Sequence, residues 1–139
     1  MTPYLFVYAS LRNGFHSPAY AYITQFFKST GNAFVKGKFF FNGQVPVAVT
    51  SDEDIIEGEL YELKDSHNFN WAICQLDDYE GLNVEEGEVP LYKREIVTVI
   101  HNNVPANAWI YWYNRSTTGM PVIPSSDISN LLQQLKKAD

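Results

Sequence analysis

At 139 residues, 45% of them apolar and 15% aromatic, the chain is expected to form one domain, residues 1–139, with a core of its own. Sixteen acids against ten bases give a net charge of −6, which argues against a phosphate-tracking surface and so against nucleic acid as a partner. The apolar runs are too short to cross a bilayer, Met1-Thr2-Pro3-Tyr4 lacks the pattern of a signal peptide, and a single cysteine, Cys74, cannot close an intramolecular disulfide. A soluble, cytoplasmic protein is the expectation.

Tyr4-Leu5-Phe6-Val7-Tyr8 is a continuous apolar run, as expected of a strand buried on both faces. A turn-rich loop, Ala9-Ser10-Leu11-Arg12-Asn13-Gly14, follows it. Ser17 and Pro18 then suit a helix start, with Tyr22, Ile23, Phe26 and Phe27 on its buried face and Gly31 at its end. Strands are expected at 33–41, 45–50 and 55–63, separated by Asn42-Gly43 and by Ser51-Asp52-Glu53-Asp54. Asn-Gly between apolar runs is a strong hairpin signal. A helix capped by Asp65 or Ser66 runs through Phe69 to Glu80 and stops at Gly81, with Cys74 inside it as a small apolar residue. After an acidic loop over 82–91, strands at 92–100 and 106–113 form a hairpin through His101-Asn102-Asn103. Ser125 or Ser126 caps a last amphipathic helix carrying Ile128, Leu131, Leu132 and Leu135. The sum is an α+β domain: a curved or barrel-like mixed sheet of about six strands with a few flanking helices.

Glu80 carries the sharpest chemical signal. At about 100° per residue it lies roughly 20° from Phe69 and roughly 40° from Leu76, so a carboxylate stands on the apolar stripe of its own helix. Asp78 falls on the opposite side and Asp77 on the flank; both read as solvated or helix-bonding residues. Burial disfavours the charged carboxylate and raises its pKa towards the range of a general base. The bland alternative for Glu80 is a solvated residue at a helix end.

The second candidate is the loop after the first strand. Small residues there let the backbone approach a ligand, and successive N–H groups form a concave anion-binding nest. Tyr8-Ala9-Ser10-Leu11-Arg12-Asn13-Gly14 resembles the Tyr-Gly-Ser-Leu-Arg-x-Gly opening of the γ-glutamylcyclotransferase-like (AIG2-like) family. Leu76-Asp77-Asp78-Tyr79-Glu80-Gly81 resembles that family's Leu-Asp-x-Phe/Tyr-Glu-Gly motif. Val45-Pro46, Glu57-Gly58-Glu59-Leu60-Tyr61, Tyr92-Lys93-Arg94 and Trp109-Ile110-Tyr111-Trp112-Tyr113 are further echoes in the family's order. Together they span about residues 4–115 and point to the small γ-glutamylamine cyclotransferase-type branch.

That resemblance implies a cofactor-free, metal-free enzyme releasing 5-oxoproline from a small γ-glutamyl substrate. The substrate's α-amine attacks its own γ-carbonyl, with Glu80 as general acid/base. Main-chain N–H groups of Ala9, Ser10 and Leu11 grip the α-carboxylate or the developing oxyanion, while Tyr8 and Tyr113 wall the pocket. Arg94 either orients the substrate carboxylate or pairs with one of the surplus acids, and Arg12 is open between the same two roles. Ala9 departs from the family's glycine, and if that position needs φ > 0 the loop is strained by about 1 kcal/mol. Glu85, Glu86 and Glu88 favour a cationic leaving group, so a γ-glutamyl amine or a lysine isopeptide fits better than glutathione.

His16, His67 and His101 stand beside turns without metal-ligand spacing, and Asp52-Glu53-Asp54 reads as a solvated turn. Ser10 has neither a nucleophile elbow nor an evident histidine partner. Phe39-Phe40-Phe41 reads as core plus edge packing. A homodimer is left open. Two readings compete with the enzyme: a small-molecule-binding module that keeps the pocket without the chemistry, and an interaction domain.

Overall fold

The computed structural model describes residues 2–8, 23–43, 46–79, 82 and 87–124. Six strands form one sheet: β1 (Tyr4–Val7), β2 (Phe27–Phe41), β3 (Pro46–Leu63), β4 (Tyr92–His101), β5 (Val104–Tyr113) and β6 (Val122–Ile123). A 3₁₀ turn (Ser66–Asn68) leads into helix α1 (Phe69–Tyr79) between β3 and β4. The strand order is β3-β1-β5-β4-β2-β6, and β2 also pairs with β3, which makes the sheet ring-like. It falls short of a continuous barrel. Two of its seams, β1–β5 and β2–β4, are held by the single register pairs Leu5↔Trp109 and Phe34↔Ile100. Among the described residues no helix is long and apolar enough to cross a membrane.

Alternation divides the apolar side chains between two faces. The inner face gathers Phe6, Val35, Phe39, Ile56, Ile110 and Trp112 into one cluster. The outer face gathers Leu5, Val7, Tyr61 and Tyr111 under Ala72 and Leu76 of α1. β1 serves both clusters. Leu5, Phe6 and Val7 are all fully buried, as a run without polar alternation predicts. At residue 58 the ring tightens: a Cβ added to Gly58 would stand 2.3 Å from the Val7 carbonyl oxygen, so only glycine lets β3 pass this close to the end of β1.

The hairpins fall where expected. Phe41 pairs with Pro46 across the Asn42-Gly43 turn, and His101 pairs with Val104 across Asn102 and Asn103, both at positive φ (53° and 63°). Phe39 is buried, while Phe40 and Phe41 are half-buried beside the unforeseen β6, whose Val122 and Ile123 pair with Phe40 and Phe39.

Several local expectations are corrected. The helix expected to include Phe27 is helical at 23–26 but gives way to β2 at Phe27, which pairs with Leu63; its start at Ser17 lies outside the described residues. Pairing with β3 outweighs local helix spacing here. Gly31 is accordingly not a helix end. It stands in a bulge at φ 116°, with Thr30 as the extra residue donating its hydroxyl to the Leu60 carbonyl oxygen (2.9 Å). The 51–54 segment does not end a strand: β3 runs through it, and the register jumps there from Lys36↔Ile55 to Gly37↔Thr50. Lys38 reaches Glu53 (3.4 Å) and Asp54 (3.8 Å), which suits this acidic insertion to solvent. Cys74 is exposed rather than packed. The expected C-terminal helix from Ser125 or Ser126 lies outside the described residues.

Candidate functional site

α1 is laid on the outer face by its apolar stripe. Ala72, Ile73 and Leu76 are buried and Phe69 stacks at 6.1 Å on Trp109, while Asn70, Trp71, Cys74 and Asp78 face outward. The stripe inferred from the sequence is therefore the one that packs. Glu80, the proposed base on that stripe, lies outside the described residues, as do Ala9, Ser10, Leu11, Arg12 and Gly81.

Asp77, expected on the helix flank as a solvated or helix-bonding residue, instead bonds across to the sheet. Its carboxylate takes a two-point grip from Arg94, Nε to Oδ1 at 2.9 Å and Nη2 to Oδ2 at 3.1 Å, and accepts a third bond from the Tyr111 hydroxyl at 2.8 Å. Its backbone oxygen accepts the Leu82 N–H at 2.9 Å. Arg94 and Tyr111 are direct cross-strand partners on β4 and β5, so one carboxylate ties both strands to the end of the helix. The Arg94 guanidinium also lies 4.6 Å from the centroid of Trp109, whose indole N–H donates to the Thr2 carbonyl oxygen (3.1 Å). Of the two roles open to Arg94 in the sequence, pairing with an acid is the one the geometry realises.

Tyr8 leaves β1 on the inner side of the sheet. Its ring packs on Phe39 at 5.8 Å and Trp112 at 6.4 Å, and its hydroxyl donates to the Tyr111 carbonyl oxygen. Tyr113 ends β5 on the other parity, buried, with its ring edge-on to Tyr92 at 5.9 Å. The two tyrosines flank one strand end from opposite faces.

Tyr111 is thus the meeting point. Its carbonyl is bonded by the residue just before Ala9, and its hydroxyl by a residue three positions before Glu80. The two segments that bear the candidate chemistry set out from one residue of β5. A fourth element lies nearby in the sheet. Glu59, opposite Val7, is a buried carboxylate that accepts from Ser29 Oγ (3.3 Å) and Tyr61 Oη (3.4 Å).

Sequence reasoning passed over Asp77, Tyr111 and Glu59 as individual site residues. A signal existed for Asp77: a helix-flank acid, an arginine on a later strand, and a net excess of acids that makes every cation a sought-after partner. Glu59 stands in the sequence only as one member of the Glu57-Gly58-Glu59-Leu60-Tyr61 segment.

A separate groove of about 540 Å³ opens between β2 and β4, which share the single register pair Phe34↔Ile100. Phe34, Ile55, Val97, Ile100 and Trp112 make it largely apolar, with Lys36 and Asp52 at its edge. It shares no lining residue with the Tyr8, Asp77, Arg94 and Tyr111 set. Among the described residues no group of three or more histidine, cysteine or carboxylate side chains is placed to hold a metal. His67 is exposed and His101 bonds the Asn32 carbonyl oxygen through Nδ1 (2.8 Å); His16 lies outside the described residues.

The fold recurs among solved structures. YkqA from Bacillus subtilis aligns over the whole chain with a TM-score of 0.66 and 27% identity, although this chain covers only 44% of YkqA's length. The uncharacterized protein PH0828 from Pyrococcus horikoshii matches end to end, 98% of each chain, with a TM-score of 0.62 and 20% identity. A structure titled gamma-glutamyl cyclotransferase aligns over 97% of this chain and 78% of its own, with a TM-score of 0.52 and 14% identity. No curated protein matches. The family model for gamma-glutamyl cyclotransferase, AIG2-like, matches residues 5–130, a span that takes in α1 and, Tyr4 of β1 apart, the six described strands, and the chain belongs to that family.

Proposed function

We propose that the protein is a cyclotransferase that releases 5-oxoproline from γ-glutamyl amines or γ-glutamyl peptides, with Glu80 as general acid/base. The observation that carries this reading is the convergence on Tyr111. The end of β1, which leads into Ala9, Ser10 and Leu11, and the end of α1, which leads into Glu80, are bonded to the same residue of β5. Family membership over residues 5–130 supports the same chemistry.

In the proposed reaction the substrate's α-amine loses a proton to Glu80 and attacks its own γ-carbonyl. A C–N bond closes the five-membered lactam, the C–N bond to the leaving amine breaks, and Glu80 returns the proton to that amine. Nucleophile and electrophile belong to one molecule, so holding it curled supplies much of the acceleration without a cofactor. Main-chain N–H groups of Ala9, Ser10 and Leu11 would hold the α-carboxylate or the oxyanion. Tyr113, at the end of β5, would wall the pocket. Arg94 is committed to Asp77, so its part is to orient rather than to bind substrate alone. The acidic 82–91 segment, including the exposed Glu88, favours a cationic leaving group over the carboxylate carried by the cysteinylglycine half of glutathione.

The test is 5-oxoproline release from a panel of γ-glutamyl amines, the γ-glutamyl-lysine isopeptide and γ-glutamyl dipeptides, with Glu80→Gln beside the unmutated protein. Turnover lost in Glu80→Gln with an unchanged circular dichroism spectrum is expected. Binding without turnover by the unmutated protein would favour a binding module instead, and full turnover by Glu80→Gln would remove the proposed base.

A further inference from the structure

The last turn of α1 ends on a residue held from several sides. The Asp77 carboxylate is forked by Arg94 and bonded by Tyr111, and its carbonyl oxygen receives Leu82 N–H. Little of this is open to water: the Asp77 side chain is 15% exposed and that of Arg94 25%. Planar, two-point geometry of this kind fixes orientation as well as distance.

Helix stability does not account for it. A carboxylate in the last turn opposes the helix dipole, so its position works against α1 taken alone. Nor is a largely buried ion pair a strong source of net stability, since desolvation offsets most of its Coulombic gain. Ala72, Ile73 and Leu76 already supply the apolar docking of the helix. What the bonds add is geometric definition at one end. The Leu82–Asp77 bond brackets residues 78–81, the span that contains Glu80, and the carboxylate fastens that bracket to β4 and β5.

We infer that Asp77, Arg94 and Tyr111 form a positioning clamp that fixes the end of α1, and with it Glu80, against β4 and β5. The inference rests on the reading of Glu80 as the base. None of the three is assigned a part in bond making. Each acts through the placement of Glu80, where a displacement of about 1 Å costs up to a hundredfold in rate.

The experiment compares Asp77→Asn, Arg94→Met, Arg94→Lys and the core variant Val99→Ala, which controls for general loss of stability. Each is assayed for 5-oxoproline release from the γ-glutamyl-lysine isopeptide or γ-glutamyl-methylamide, whichever the unmutated protein turns over faster. Amide exchange at Leu82 is followed in parallel. Asp77→Asn and Arg94→Met are expected to lower kcat by at least about tenfold with KM changed less than about threefold. Arg94→Lys, which keeps the charge but loses the fork, falls between them and the unmutated protein. Leu82 exchange should quicken by at least about tenfold in Asp77→Asn and Arg94→Met relative to Val99→Ala. If kcat stays within twofold in Asp77→Asn, or Val99→Ala loses as much kcat as it does, or Leu82 keeps its protection, the clamp is refuted. Those results leave the functional reading intact if Glu80→Gln is still inactive. Absence of turnover in the unmutated protein overturns the functional reading and this inference together.

Discussion

Replacing Gly58 by alanine is the most informative single perturbation of the scaffold. An added Cβ would stand 2.3 Å from the Val7 carbonyl oxygen and 2.6 Å from Phe6 Cζ. Real Cβ atoms essentially never approach within 3.0 Å, so at least 0.7 Å of movement must be found at a backbone atom. The backbone there has little room to give. Val7↔Glu59 and Phe6↔Leu60 are adjacent ladder pairs, and the Phe6 ring is fully buried in the inner cluster. Overpacking against fixed atoms belongs at the upper end of its usual range, about 3 kcal/mol, or roughly 10 °C in Tm for a domain of this size. Gly37→Ala is the internal comparison. Its Cβ would meet Ile56 Cδ1 at 2.7 Å and the Trp112 ring edge at 3.0 Å, side-chain atoms of which the first can rotate away, so about 1–2 kcal/mol is expected. Urea melts at constant m-value measure both. A loss below about 1 kcal/mol for Gly58→Ala, or a larger loss at Gly37, would refute the claim that backbone approach at β1 sets the requirement for glycine.

Three further outcomes follow from the same geometry. Tyr111→Phe removes one donor from Asp77 Oδ1 and leaves the Arg94 fork in place, so it should cost about 1 kcal/mol in a urea melt and lower kcat less than Asp77→Asn does; a larger effect than Asp77→Asn on either would contradict the assigned hierarchy. Cys74 is exposed on α1 and should react stoichiometrically with a thiol reagent in native buffer, and a requirement for denaturant would contradict its placement. The His67 backbone N–H, and then its ring, hold the Asp65 carboxyl below the usual carboxylate range. A lowered folded-state pKa contributes stability above the unfolded-state value, and that contribution is lost as pH falls through the folded-state one. Asp65→Ala should therefore lower Tm at neutral pH, with the gap closing on acidification below the carboxylate range; a gap independent of pH would show that the carboxylate charge plays no part.

The strands were legible where pairing agreed with local pattern. Tyr4–Val7 lacks polar alternation because it is buried on both sides, and Asn42-Gly43 and Asn102-Asn103 mark turns through the φ they permit. Misreadings arose where tertiary pairing overrode spacing. Phe26 and Phe27 fit one helical face, but Phe27 is recruited opposite Leu63, and Gly31 then serves a bulge. Ser51–Asp54 has the composition of a turn and in fact occupies a register jump, a device that keeps four polar residues in a continuous strand. The two-residue β6 is defined by its partners Phe39 and Phe40 rather than by any pattern of its own.

The candidate site divides along the same line. Helical azimuth identified the docking face of α1, because 69, 72, 73 and 76 are related by the helix alone. It put Asp77 on the flank but carried no sign of its partners Arg94, 17 residues on, and Tyr111, 34 residues on. Those two meet only because β4 and β5 pair in one register. A shift by one residue would turn Arg94 to the inner face and leave the acid unpaired beside the helix end. Strand register therefore controls whether the Asp77 contacts form. The hairpin turn at Asn102 and Asn103, more than 20 residues along the chain from Glu80, sets the register on which the Asp77 contacts depend.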